Sequence, residues 1–291
     1  MPTLLFLLLF LLAPPSVSFS TGEEVSLPFD HSLWDQFLKK FVNEKGEVNY
    51  GAAKEDPSLL DAYLEKLKSF SALEFEGWPR EESMALLINA YNAGLIRTVL
   101  NYYPIKTPLQ IPGGWEQSVV QIGKTPPEKD LPAGAKDAAA PPDDESQFAH
   151  SLNQIEEMSL RRGYRDEKAL FALCRAARGS PRLRQEAYTG PLLEGQLYLA
   201  TREFVNDPNR NRIVPGEKKI VLSRLFQWYA RDFLLNWSNF PEEIKWNPAE
   251  MAVLSFFARY LQDPKQVEYL KEARYKVKYS VFDWSLNDWK P

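Results

Sequence analysis

Cysteine and histidine are almost missing from this chain: its 291 residues hold one Cys, Cys174, and two His, His31 and His150. A single thiol forms no internal disulfide. Two imidazoles are too few for a His-rich metal site, and no metal or cofactor is expected. Any Ser-His or Cys-His nucleophile has to recruit one of these two histidines. EF-hand, HExxH, P-loop and GxGxxG strings do not occur either. Long apolar runs are scarce. Leu4–Leu12 falls short of the roughly 20 residues of a spanning helix, and Met251–Leu261 is interrupted by Arg259. Charge of one sign does not dominate: the net −4 argues against general nucleic-acid binding.

What is present begins with a leader. Leu4–Leu12 contains only Leu and Phe, and Ala13-Pro14-Pro15 and Ser16-Val17-Ser18 follow. An apolar run, a breaker and small residues read as a signal peptide over 1–20, cut near Ser18 or Ser20, although no Lys or Arg precedes the run. The expectation is an exported protein, periplasmic or extracellular, with no transmembrane segment after cleavage. Residues 21–291 read as a single domain. Aromatics at 13%, eight Trp among them, allow a sizeable core without covalent help.

Asp30 can cap a helix with an apolar stripe at Trp34, Phe37, Leu38 and Phe41, ended by Gly46. Val48-Asn49-Tyr50 reads as a short extended connection, and Asp56-Pro57 starts a second helix. From Arg80 to Tyr102 apolar residues occupy nearly all sides, as in a helix at the centre of a domain. Asn89 and Asn92 lie within its faces. They either tie the helix to a neighbouring loop or line a pocket. Residues 124–147 are rich in Pro, Ala and Asp and read as a disordered or extended insertion. Ser151-Leu152-Asn153-Gln154 is a capping-box pattern that opens a short helix. Ala169–Cys174 reads as a buried strand, and Leu192–Phe204 as a helix. Arg212–Val214 and Lys219–Leu222 form a hairpin, and Ser223 caps a short aromatic helix. Met251–Leu261 is helical, Asp263-Pro264 starts another helix, and Lys276–Phe282 reads as a last strand. Mostly helices with a few strands make an α+β fold: a small β-sheet or hairpin around a buried central helix.

Charge is uneven. Arg161–Arg184 carries eight basic residues against Asp166 and Glu167, a local +6, just after Asp143, Asp144, Glu145, Glu156 and Glu157. Two readings stand: the stretches pair on the surface, or Arg175, Arg178 and Arg182 bind an anionic ligand, since guanidinium forks match sulfate, phosphate or acidic glycans. Tryptophans such as Trp115, Trp228, Trp237, Trp246 and Trp284 are core anchors or sugar-stacking platforms. Trp115, beside Gly113-Gly114, is expected to be the most exposed.

Several separated blocks stand in order: Phe29–Trp34, Ile88–Ala93, Tyr103–Lys106, Leu152–Glu156, Phe171–Leu173, Glu186–Tyr188, Phe204–Pro208 and Asp283–Asp288. Together they resemble the family known as domain of unknown function 547. The resemblance implies an exported bacterial protein, and its Cys and His positions imply a papain- or transglutaminase-like hydrolase architecture. In this chain those positions read Leu170, Arg175 and Ser180, and the family's Ile-Glu-His is Ile155-Glu156-Glu157. A thiolate needs a neighbouring base or cation, so the expectation is a non-catalytic domain that binds a protein partner or an anionic small molecule or glycan. Cys174, His150 and Glu156 are the weak catalytic candidates of the alternative, a cysteine-dependent hydrolase. Asn89, Asn92, Arg175, Arg178 and Arg182 are the ligand-binding candidates.

Overall fold

A computed structural model describes residues 29–124, 148–237 and 247–290. The leader, most of the Pro/Ala/Asp-rich insertion and Trp246 lie outside the described residues. The architecture is mostly helical α+β. The first helices are α1 (Ser32–Phe41), α2 (Tyr50–Glu55), α3 (Ser58–Lys66) and α4 (Ala72–Glu76), followed by the long α5 (Arg80–Tyr102). Strands β1 (Ser118–Gln121) and β2 (Ala149–Ser151) pair antiparallel. A π-helix over Gln154–Tyr164 precedes α6 (Leu193–Asn206). Hairpin β3 (Arg212–Val214) and β4 (Lys219–Leu222) follows, then α7 (Arg224–Trp228), α8 (Ala230–Phe233), α9 (Pro248–Tyr260), α10 (Pro264–Lys271) and β5 (Lys276–Tyr279). No helix among the described residues is long and apolar enough to cross a membrane.

Local chemistry sets most of these boundaries. The Asp30 side chain accepts from the Ser32 amide at 2.9 Å, and the stripe Trp34, Phe37, Leu38 and Phe41 is the buried face of α1. Asp263 and Ser223 cap α10 and α7 through their side chains. At Ser151 the capping box is complete: its Oγ accepts from Gln154 N, and Gln154 Oε1 accepts from Ser151 N.

Four expectations are corrected. Helix α1 stops at Phe41, and a turn at Asn43–Gly46 follows, because Val42 bridges Val48. Tyr50 is not extended: the Asn49 side chain accepts from Ala52 N and starts α2 there. Ala169–Cys174 is not a strand. Asp166 accepts from Lys168 N and starts a 3₁₀ turn over Glu167–Phe171, and an irregular loop follows. A short apolar run looks the same in either conformation. The last strand ends at Tyr279 and adds to β4 in parallel rather than extending to Phe282.

Apolar side chains collect in two cores. The first surrounds α5, with Trp34, Tyr50, Tyr63 and Tyr91 among its fully buried residues. The second surrounds α9 and is built from Phe171, Phe204, Phe226, Phe233, Phe256 and Phe257. The segment 169–177 belongs to both. Ala169, Ala172, Leu173, Cys174 and Ala176 face the first core, and Leu170, Phe171 and Ala177 face the second.

Candidate functional site

The seam between the cores is held from two sides. From α5, Asn92 Oδ1 accepts from Cys174 N at 2.9 Å and its Nδ2 donates to Ala172 O at 3.0 Å. One turn earlier, Asn89 makes the same double bond to Tyr188 N and O. Asn89 imitates a strand neighbour for Tyr188 and Asn92 does so across Ala172–Cys174, which discharges the cost of burying each amide. From the C-terminal segment, Ser285 O accepts from Arg178 N, Asp283 O accepts from Gly179 N, and Asn287 N donates to Ala176 O. A Cβ on Gly179 would come within 2.9 Å of the Asp283 backbone. That contact accounts for glycine there, since the approach brings Trp284 beside the loop.

Cys174 and Arg175 leave this loop in opposite directions. The thiol is buried in the first core, where Ala176 N and Asn287 Nδ2 donate to it at 3.3 and 3.6 Å. Burial pushes it up to about 11. His150 sits on β2 opposite Val120, and burial lowers its imidazole. No hydrogen bond joins it to Cys174 among the described residues.

Arg175 turns instead into a pocket of about 770 Å³. Its Nη2 donates to Glu156 Oε1 at 2.9 Å and to Tyr229 Oη at 2.8 Å, and Tyr229 donates in turn to the same Glu156 oxygen at 2.5 Å. Its Nη1 donates to Leu173 O. Both partners of the ion pair are buried. Burial opposes the guanidinium charge, but the Glu156 carboxylate and the phenol outweigh it and hold Arg175 firmly protonated. The Tyr229 hydroxyl is pushed up to about 12, first by burial.

The π-helix supplies the pocket's second layer. Such helices are rare and favour functional sites. Its wide turn carries Glu156, Glu157 and Arg161 to the same pocket. Arg161 forks onto Asp232 at 2.9 and 3.0 Å and also binds Glu157, while Arg162 reaches Glu157 at 2.7 Å. The Arg161 and Arg175 guanidinium carbons lie 4.7 and 5.2 Å from the Tyr229 ring centre.

Tryptophans make the walls. The Trp284 ring lies 6.0 Å from Trp115 and 5.8 Å from Trp228, and all three line the pocket. Trp115 is only partly exposed, because its Nε1 donates to the buried Tyr91 hydroxyl at 2.9 Å. Trp228, at 45% exposure, is the open one, contrary to expectation.

Of the ligand-binding candidates, only Arg175 lines this pocket. Asn89 and Asn92 spend their amides on loops. Arg178 and Arg182 are exposed along a different groove with Arg210, where Arg178 lies 3.5 Å from Glu47. Elsewhere in the basic stretch, Lys168 pairs with Glu194 and Arg184 with Glu186. Six of the eight basic side chains, all but Arg165 and Arg182, therefore meet acids among the described residues. Asp143, Asp144 and Glu145 lie outside the described residues. Tyr229, Trp228 and Arg161 were not singled out by sequence reasoning as a group. The only signal was the aromatic density after Ser223.

Two of the positions where the resemblance places a thiol and an imidazole, Arg175 and Glu157, line one pocket. Ser180, another of them, accepts from Arg175 N through Oγ, and Leu170 is buried in the second core. Among the described residues no group of three or more His, Cys, Asp or Glu side chains is arranged to hold a metal ion.

The family model described as "Protein of unknown function, DUF547" matches residues 75–205. That match supports the family for the stretch holding α5, the π-helix and the seam. Trp228, Tyr229 and Trp284 lie beyond it. No curated protein and no solved structure matches the chain.

Proposed function

We propose that this chain is an exported binding protein without thiol catalysis, and that its ligand sits in the Trp-walled pocket over Arg175. One observation carries the reading: the pocket floor is an ion pair, Arg175–Glu156, closed by Tyr229. A guanidinium with three acceptors around it can orient a ligand but cannot attack one. The lone thiol faces the core and, raised to about 11, holds very little thiolate at neutral pH. Pocket size and the mix of aromatic walls with a few polar groups suit a small molecule or one stretch of a polymer. The basic run supports a polyanion site less well, because acids already engage most of it. Export rests on the sequence alone, on Leu4–Leu12 and the small residues after it.

The reading is tested by fluorine NMR of protein labelled with fluorotryptophan, titrated with a small-molecule fragment mixture. Signals of Trp115, Trp228 and Trp284 should shift while that of the buried Trp34 stays put. Shifts confined to other tryptophans, or none at all, would remove the pocket from consideration. Native Cys174 should alkylate slowly, and at full speed only after unfolding. Fast native labelling would reopen thiol chemistry.

A further inference from the structure

We infer that the occupant of this pocket is a neutral oligosaccharide, lying along Trp115, Trp284 and Trp228. The inference rests on the binding reading above and adds the ligand class. Three indole rings line the pocket, their centres 6.0 and 5.8 Å apart and their planes inclined at 70° and 33°, so the Trp115–Trp284 pair meets edge to face and the apolar surface is stepped rather than flat. Asn153 and Gln154 line the same cavity with one end of each amide bonded, Nδ2 to Glu116 and Oε1 to Ser151 N, which leaves Asn153 Oδ1 and Gln154 Nε2 for a ligand, while Glu157 is held by Arg161 and Arg162. A pyranose ring has this division: axial C–H bonds make an apolar face, and equatorial hydroxyls make a polar rim.

Charge narrows the class. The pocket is lined by Glu116, Glu156 and Glu157 against Arg161 and Arg175, one negative charge in excess. An anion would have to displace Asp232 or Glu157 from Arg161, or Glu156 from Arg175. A cation finds the Tyr229 face taken by two guanidinium groups but is left the indoles, so spermine is the comparison that decides neutrality. A neutral polyol displaces no ion pair.

Length follows from Trp284, which also borders a second hollow of about 620 Å³ with Lys106, Thr107, Asp283 and Ser285. The two hollows share that ring, and the inferred oligosaccharide would cross it from one to the other. A single sugar would use only part of this surface.

The test is calorimetric titration of the full chain with cellohexaose, maltohexaose and chitohexaose, each beside its disaccharide. A heparin hexasaccharide and spermine serve as charged comparisons. At least one neutral hexasaccharide should bind, more than about tenfold tighter than its disaccharide. Trp228→Ala, at an exposed ring, should keep the fold and weaken binding about tenfold or more. Trp284→Ala should weaken it further. If no neutral hexasaccharide binds at millimolar concentration while fragments still shift the pocket signals, the glycan class falls and the pocket reading survives. If neither binds, both fall. Preference for heparin or spermine overturns neutrality, and binding indifferent to Trp228→Ala places the sugar elsewhere.

Discussion

The helices at the centres of the two cores, α5 and α9, bury their surroundings by different means. Along α5 the buried face includes Glu82, Ser83, Asn89, Asn92 and Thr98 beside its apolar residues. Along α9 it is Met251, Ala252, Val253, Leu254, Phe256, Phe257 and Tyr260. Helix α5 therefore dictates the path of loops through directional hydrogen bonds. Helix α9 offers ring surface, which stabilises strongly but tolerates sliding. The seam 169–177 takes its position from the first kind of contact and much of its burial from the second. That division explains how adjacent residues, Cys174 and Arg175, are held facing a core and a pocket.

The comparison is broken most forcefully at Phe256. Its ring is fully buried and lies against Phe171, Phe226, Phe233, Trp237 and Tyr260. Phe256→Ala should cost about 3–5 kcal/mol, measured by denaturant unfolding. Because the seam joins the cores, loss should appear as one transition. Two separable transitions would contradict the joint role given to 169–177.

Asn92→Ala should cost less, about 3 kcal/mol, from the unpaired Cys174 N–H and Ala172 carbonyl. It should nevertheless move the pocket tryptophan signals more than Phe256→Ala does. The reverse ranking would mean that α5 does not position the Arg175 loop.

Acid should expose the polar character of the first core. His31 is buried with Nδ1 2.8 Å from the Tyr63 hydroxyl, and burial holds its imidazole down to about 4. Between the ordinary value near 6.5 and about 4, the unfolded chain binds a proton that the folded chain excludes. Stability is thus full above the upper value and falls as pH drops toward the lower, by up to roughly 3 kcal/mol. His31→Phe should flatten this slope in urea midpoints taken across that window. An unchanged slope would assign the acid sensitivity to other groups.

The smallest effect is expected at Arg182, an exposed side chain of the basic stretch. Arg182→Ala should change stability by no more than about 0.5 kcal/mol and leave pocket binding as it was. A lost ligand affinity there would shift attention from the Trp pocket to the Arg178–Arg182 groove.

Much of the helical framework is legible in the sequence. The span Arg80–Tyr102 is apolar on all sides, and its burial follows from that alone. Capping side chains at Ser151, Ser223 and Asp263 marked helix starts because their hydrogen bonds close within three residues, and Asp30 bonds the Ser32 amide from one position before the N-cap, His31. The run at Ala169–Cys174 misled because burial without periodicity does not distinguish a strand from a 3₁₀ turn. The parallel pairing of β4 with β5 was hidden for another reason: some fifty residues separate them, and α7–α10 intervene.

By itself, the sequence determined most of the helices, the scarcity of thiol and imidazole, and the presence of amides inside an apolar helix. These depend on contacts between near neighbours and on composition. Only the tertiary structure decided which tryptophans share a pocket, that Arg175 meets Glu156 and Tyr229, and that Cys174 faces away. Such choices depend on where distant segments cross: Asn92 from one core and Asp283–Asn287 from the chain's last stretch together set the direction of each side chain on the seam.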